Sequence, residues 1–333
     1  MIVIRYKGGL GNQMFQYALH KILQETYPEE VVKADLSHYL LQKEHNGFEL
    51  DSVFGFQETS VSRKEVLSIA NIYVPGKLYE ILPDGIQKRI AENWQHKFMA
   101  WKKKMYPGKN PNFYRQSFHN SFESWMFSLD LSHDWYLEGL WQNMLYWTRG
   151  ELTEKEAVTK IQGIFSFEDA KYLNDNKLKE AKELLEGENA VGIHVRRGDF
   201  ANSKFDICPL EYYKQAISYV KEKINTPKFY FFTDDVEYVK QTFSHLNEMK
   251  NLVTADNIRI IAHGAVRSDI DMWLMSKCSN LIISNSTFSY WGAMLGKQEN
   301  RVIVAPKYSV KSPRGEFELS APGNWILLDN IHI

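Results

Sequence analysis

The chain has 333 residues, 44% hydrophobic and 24% charged, with 40 Lys and Arg against 41 Asp and Glu. At about 150 residues per domain this length predicts two domains, with enough apolar residues for a large core. The composition excludes disordered, collagen-like and multi-span membrane proteins, and a formal charge of −1 argues against bulk attraction to nucleic acid or an anionic membrane. Two cysteines, Cys208 and Cys278, are too few for a disulfide framework and fit a reducing compartment. The start MIVIRYKGG lacks the basic stretch and long apolar core of a secretory signal. No run approaches the roughly 18 apolar residues that span a bilayer, so no transmembrane segment is expected and the expected location is the cytoplasm.

Met1–Tyr6 predicts a strand, Gly8–Gly11 a tight turn, and Asn12–Leu23 an amphipathic helix. Residues 30–60 suggest another strand with loops. Residues 85–150 are rich in tryptophan (Trp94, Trp101, Trp125, Trp135, Trp141, Trp147) and show no legible topology. Glu151–Gly187 reads as charged and helical. From residue 190 the pattern becomes regular. Strands are predicted at Ala190–Arg197, Lys228–Thr233, Ile258–Ala262, Leu281–Ser284 and Arg301–Ala305. They alternate with helices at Pro209–Ile224, Val236–Leu246, Asp269–Cys278 and Phe288–Leu295. Such alternation means a parallel sheet covered by helices, a Rossmann-like domain. The expected division is an N-terminal domain over 1–165, a C-terminal domain over 166–310, and a tail over 311–333 that packs back on the body.

Ligands of open α/β sheets bind at the carboxyl ends of the strands. There the sequence places His194, Arg196, Arg197 and Asp199, then Thr233, Asp234 and Asp235, then Ser284, Asn285, Ser286 and Thr287. Paired arginines offer forked donors that match phosphate. Arg196 and Arg197 have opposite parity in an extended strand, so one faces a ligand and the other supports the sheet or an acid. Gly198-Asp199 also reads as a plain turn. Ser286 and Thr287 open a helix, which is either a phosphate site or ordinary capping. Asp234-Asp235 binds a ribose, orients an arginine, or begins a helix. Asp269-Ile-Asp271 has the form of a metal-binding acidic pair but opens a helix without a further acid nearby, and no His or Cys spacing suggests zinc, so no metal is expected. GGLGNQ at residues 8–13 is neither the dinucleotide fingerprint, because Met14 occupies the third glycine position, nor a P-loop. It permits close approach of backbone, with Asn12 and Gln13 offering polar groups.

Four stretches together resemble the glycosyltransferase family 11 α-1,2-fucosyltransferases: GGLGNQMFQYA (8–18), GLWQNMLYW (139–147), VGIHVRRGDF (191–200) and DMWLMSKCSNLIISNSTFSYWGAML (271–295). FFTDD (231–235) also fits, and the matches run in order along nearly the whole chain. The 139–147 stretch departs most: the family often has Ser-Glu-Lys where this chain has Asn143-Met144-Leu145, which bears on acceptor preference more than on the donor.

The resemblance implies an α/β fold of the GT-B type, two Rossmann-like domains facing across a cleft. It implies inverting transfer of fucose from GDP-fucose to the 2-hydroxyl of a galactose-terminated glycan, without metal or cofactor. It implies that Arg196 holds the pyrophosphate, that His194 and Asp271 lie near the guanine, and that Ser286 and Thr287 lie near the phosphates. Asp234 or Asp235 lines the nucleotide pocket, and Arg197, Asn285, Gly11 and Asn12 join the donor-binding set. Gln13, Trp141 and Gln142 face the acceptor sugar. Asp199 is the candidate base, with fixing Arg197 as its alternative role. A bacterial-type enzyme is implied, compatible with peripheral attachment at the inner membrane. The rival readings are another nucleotide sugar or linkage, a nucleotide-dependent oxidoreductase, which the broken glycine fingerprint disfavours, and a non-catalytic nucleotide-binding module.

Overall fold

The computed structural model describes residues 1–41, 46–70, 82, 86, 113–118, 120–149, 151–244, 259–261, 268–313 and 315–333. Trp94 and Trp101, and the ends of the helix expected at Val236–Leu246 and the strand expected at Ile258–Ala262, lie outside these residues. The chain forms two compact units, residues 1–157 and 158–333. It passes from one to the other within the helix Glu154–Ile164.

The first unit is built on β1 (Ile2–Arg5), β2 (Val32–Asp35), β3 (Phe113–Arg115) and β4 (Trp135–Glu138). The order is β2-β1-β4-β3, and every pairing is parallel. All four residues of β1 are buried, which explains why its sequence reads as a short apolar run closed by an arginine. Helix α1 (Leu10–Thr26) follows. It begins two residues before the expected start, because the Gly9 carbonyl accepts from the backbone N–H of Asn12 and of Gln13. Gly11 therefore belongs to the first helical turn, and the turn proper is made by Gly8, at φ +79°.

The second unit carries β5 (Ala190–Val195), β6 (Lys228–Thr233), β7 (Arg259–Ile261), β8 (Asn280–Ile282) and β9 (Ile303–Pro306). The hairpin β10 (Tyr308–Ser312) and β11 (Gly315–Glu318) follows, and then β12 (Ile326–Leu328). The sheet order is β12-β9-β8-β5-β6-β7, parallel throughout. From β5 the chain steps outward through β6 and β7, then returns to β8 on the other side and continues to β9 and β12. The reversal between β5 and β8 is a topological switch point, the place where such sheets open a crevice for ligands. The strands β5 to β9 alternate with helices α2 (Leu210–Lys223), α3 (Val236–Ser244), α4 (Ser268–Lys277) and α5 (Thr287–Met294), and Ala170–Leu173 and Asn176–Leu185 precede β5.

Val191, Ile193 and Val195 of β5 form the core with Tyr212, Ile217, Phe231, Ile282 and Val304. Gly192 lets this strand come close to its neighbours: a Cβ there would lie 2.6 Å from Leu281 and 2.9 Å from the Cys278 sulfur. The last expected strand starts at Ile303 rather than Arg301, because Arg301 is used elsewhere. Its guanidinium donates to the carbonyls of Cys278 (3.1 Å) and Ala293 (2.8 Å), where α4 and α5 end. There it meets the negative ends of both helix dipoles. The strand β12 was not expected from the sequence. Two α/β units, each on its own parallel sheet, make an α/β fold. Among the described residues, no helix is long and apolar enough to cross a membrane.

Candidate active site

At the switch point of the second unit, two helix tyrosines fix the strand ends. Tyr213 donates to the His194 carbonyl at 3.2 Å and Tyr212 to the Ile283 carbonyl at 2.6 Å. Between these ends the His194 Nδ1 meets the Ser284 hydroxyl at 2.9 Å. The Ser284 oxygen also accepts from the Ser286 N–H. Burial, and then the charge of Arg196, push the His194 pKa down to about 3, so the ring is neutral at ordinary pH.

Arg196 is held by two carboxylates. Its Nε and one terminal nitrogen donate to Asp199 at 3.0 and 2.6 Å, and its other terminal nitrogen meets Asp234 at 2.9 Å. Asp234 also accepts from the Arg197 backbone N–H at 2.8 Å. Gly198 makes room for it, since a Cβ at that position would stand 2.5 Å from an Asp234 oxygen. Asp234 is thus anchored, whereas Asp199 is 51% exposed. Arg197 turns away to Asp206 (2.7 Å) and lies over the Tyr238 ring at 4.4 Å. The two arginines therefore serve different partners, and the acid that fixes Arg197 is Asp206.

The segment after Asp199 is tied down by buried amides. Asn285 donates to the carbonyls of Phe205 and Ser309, both at 3.0 Å, and accepts from the Cys208 thiol. Asn330 donates to the Ile207 carbonyl at 2.8 Å. Within this strap Phe200 stacks on Phe205, and Arg196 lies 5.6 Å from the Phe200 ring. Asp235 caps α3 by accepting from the Tyr238 N–H at 2.9 Å. Ser286 caps α5 by accepting from the Phe288 N–H, and Thr287 is the first residue of that helix. Asp271 lies in the first turn of α4, half-buried. His194 thus pairs with Ser284, and Arg196 forms a cluster with Asp199 and Asp234 whose charge reaches His194, with Arg197 and Ser286 at the edges.

In the first unit the reversal lies between β1 and β4. Gln142 donates to the Asn12 side chain at 2.8 Å, joining the glycine turn to the loop after β4. The Gln13 amide is occupied by backbone: it donates to the Gly8 and Gly47 carbonyls and accepts from the Glu49 N–H. Trp141 is fully buried at φ +56°, a left-handed conformation unusual for so bulky a residue. Gln116 holds it there by accepting from the N–H groups of Leu140 and Trp141, both at 3.0 Å. The indole N–H of Trp141 meets no acceptor among the described residues. Strain and an unmatched donor at one residue mark a position held in place by its surroundings.

Sequence reading missed Asp206 and Gln116. Neither has a periodic or motif signature; both act through contacts that only the folded chain supplies. Among the described residues, no three His, Cys, Asp or Glu side chains gather as metal ligands would.

The glycosyl transferase family 11 model matches residues 1–329. An α-1,2-colitosyltransferase of Escherichia coli is 30% identical over 317 residues, covering 92% of this chain and 91% of its own. The O-antigen biosynthesis glycosyltransferase WbnK of Escherichia coli is 30% identical over 312 residues, covering 90% and 92%. A mutant of Arabidopsis thaliana FUT1 in complex with GDP aligns at 12% identity and TM-score 0.47, over 96% of this chain and 74% of that one. POFUT1 in complex with GDP-fucose aligns at 12% identity and TM-score 0.41, over 91% and 96%. A match to the family along nearly its whole length, with two relatives of similar size, assigns the protein: the chain belongs to glycosyl transferase family 11.

Proposed function

We propose that the protein transfers L-fucose from GDP-β-L-fucose to the 2-hydroxyl of a terminal β-galactoside, with inversion, making an α-1,2 linkage. The acceptor hydroxyl oxygen attacks the fucose anomeric carbon. The bond from that carbon to the diphosphate breaks, GDP leaves with the electron pair, and the hydroxyl proton passes to a base. Negative charge therefore grows on the diphosphate, and donors already in place stabilise it best.

Arg196 carries this reading. It stands at the switch point of a parallel sheet with its guanidinium held by side chains, ready for a diphosphate. In this reading Arg196 takes the diphosphate, helped by the start of α5 at Ser286 and Thr287. Neutral His194 and Asp271 serve the guanine, Asp234 orients Arg196, and Asp199 takes the proton. The first unit, with Asn12, Trp141 and Gln142, takes the acceptor. The reaction runs in the cytoplasm, at the inner membrane where the acceptor is lipid-linked.

A second donor is favoured by one observation, the 30% identity to an α-1,2-colitosyltransferase. Colitose is fucose without its 3-hydroxyl, so a single contact can decide between them. One assay tests both readings. The protein is mixed with GDP-fucose or GDP-colitose and a panel of β-galactosides, with EDTA present, and GDP release and product linkage are measured. An α-1,2-fucosyl product is expected. An α-1,2-colitosyl product alone replaces the donor, and no product from either donor rejects the reading.

A further inference from the structure

A row of charges crosses the carboxyl edge of the first sheet. The register aligns Asp35 of β2 with Arg5 of β1, Arg5 with Glu138 of β4, and Glu138 with Arg115 of β3. Arg5 and Arg115 both meet one Glu138 oxygen, at 3.2 and 3.1 Å, and Lys7 meets the other at 3.4 Å. Asp35 is engaged by the Tyr136 hydroxyl and by the Ser37 N–H. Among the described residues, three cations of the row share two carboxylates, and Glu138 answers the direct contacts of all three.

Buried charge is costly unless fully paired. The inner members are buried: Arg5 is 4% exposed and Glu138 8%. The outer members are not: Lys7 is 27% exposed and Arg115 50%. The surplus positive charge is thus on the side chains that a ligand can reach. The local field agrees. Burial, and then Arg5 and Lys7, push the His38 pKa down to about 4. Burial also lowers the Lys7 ammonium despite Glu138, with Arg5 and Arg115 acting in the same direction. Gln16 ties this site to the loops described above, bonding the backbone of Lys7 and the Gly139 carbonyl. Lys7 therefore sits beside the segment that carries Trp141 and Gln142.

We propose that Lys7 and Arg115 bind an anionic group, a carboxylate or a phosphate, on the acceptor glycan. The proposal rests on the reading that the first unit takes the acceptor. The carboxylate source is a uronic acid within the glycan, and the phosphate source is the group that links a growing glycan to its carrier.

Isothermal titration of the full chain tests this without turnover. The probes are a neutral β-galactosyl disaccharide, the same disaccharide extended with glucuronic acid, and the same disaccharide with a reducing-end phosphate. At least one anionic probe is expected to bind tenfold or more tightly than the neutral one, with the advantage shrinking in high salt. The tighter of the two identifies the source. Lys7→Met and Arg115→Gln should each reduce the advantage below threefold while leaving the neutral disaccharide unchanged. Lys7→Arg should keep it, which separates loss of charge from loss of fold. Equal binding of all probes, no binding of any, or an advantage that survives both substitutions overturns the proposal. A charge preference without transfer from GDP-fucose leaves the proposal standing and rejects the donor reading instead.

Discussion

Two nitrogens of Arg196 converge on one oxygen of Asp199, at 3.0 and 2.6 Å. The same guanidinium is held from its other side by Asp234. In the proposed reading an incoming diphosphate competes with the exposed partner, Asp199, while Asp234 keeps the guanidinium oriented.

Arg196→Ala is therefore expected to lower kcat/KM more than tenfold. A charged hydrogen bond contributes about 1.5–3 kcal/mol in net terms, and this one is aimed at a charge that grows during the reaction. Circular dichroism and the melting temperature should stay close to wild type. Near-native activity, or activity lost only with the fold, removes the anion-site assignment.

Asp199→Asn separates two roles. A base contributes about 10²–10⁴-fold, so loss of the base should lower kcat in that range and remove the acidic limb of the pH–rate profile. A residue that only competes for Arg196 should, when neutralised, leave that limb in place and tighten GDP binding. An unchanged profile excludes Asp199 as the base.

Asn285→Ala tests whether that amide serves the fold. It removes the amide that donates to the Phe205 and Ser309 carbonyls, the first of which keeps the Ile207 N–H, and each lost hydrogen bond contributes about 0.5–1.5 kcal/mol. We expect a lower melting temperature and faster proteolysis within residues 199–208. Loss of GDP affinity with stability intact would place Asn285 on the donor instead.

His194 sets a pH dependence of stability. Its folded value, about 3, lies below the ordinary histidine value of 6.5. Between those limits the unfolded chain binds a proton that the folded chain does not, so stability rises with pH. It is complete above pH 6.5 and falls as pH drops toward 3, by about 1.4 kcal/mol per unit at most. Chemical denaturation from pH 7.5 to 4.5 should show this slope added to a like contribution from His38, and His194→Gln should remove the His194 part and leave the rest. An identical slope in the variant rejects the assignment.

The second unit was largely legible in the sequence, and the reason is burial. β5, β6 and β8 are covered on both faces, so each reads as an unbroken apolar run, such as AVGIHV or KFYFFT. β12 escaped notice because Ile326–Leu328 is short, lies at the sheet edge and alternates half-buried and exposed residues. The start of α1 was misplaced because glycine reads as turn, whereas Gly9 here caps a helix with its backbone alone. In the site, the ends of β5, β6 and β8 could be read from strand positions. The division of the arginines could not: Asp234 and Asp206 reach Arg196 and Arg197 only after the sheet and the strap have formed. The charged row of the first unit was equally hidden, because Arg5, Asp35, Arg115 and Glu138 become neighbours only through strand register.

The close approach at Gly192 seals Cys278 behind β5, and the Asn285 amide holds Cys208 under the strap. Burial pushes both thiols up to about 12, so neither forms appreciable thiolate in the native protein at neutral pH. Alkylation then becomes a clock for opening. A maleimide that reaches Cys208 first reports release of the strap, and one that reaches Cys278 reports loss of the sheet itself. The chain thus carries its own pair of reporters, one at the candidate site and one in the core, and needs no engineered label to tell local opening from unfolding.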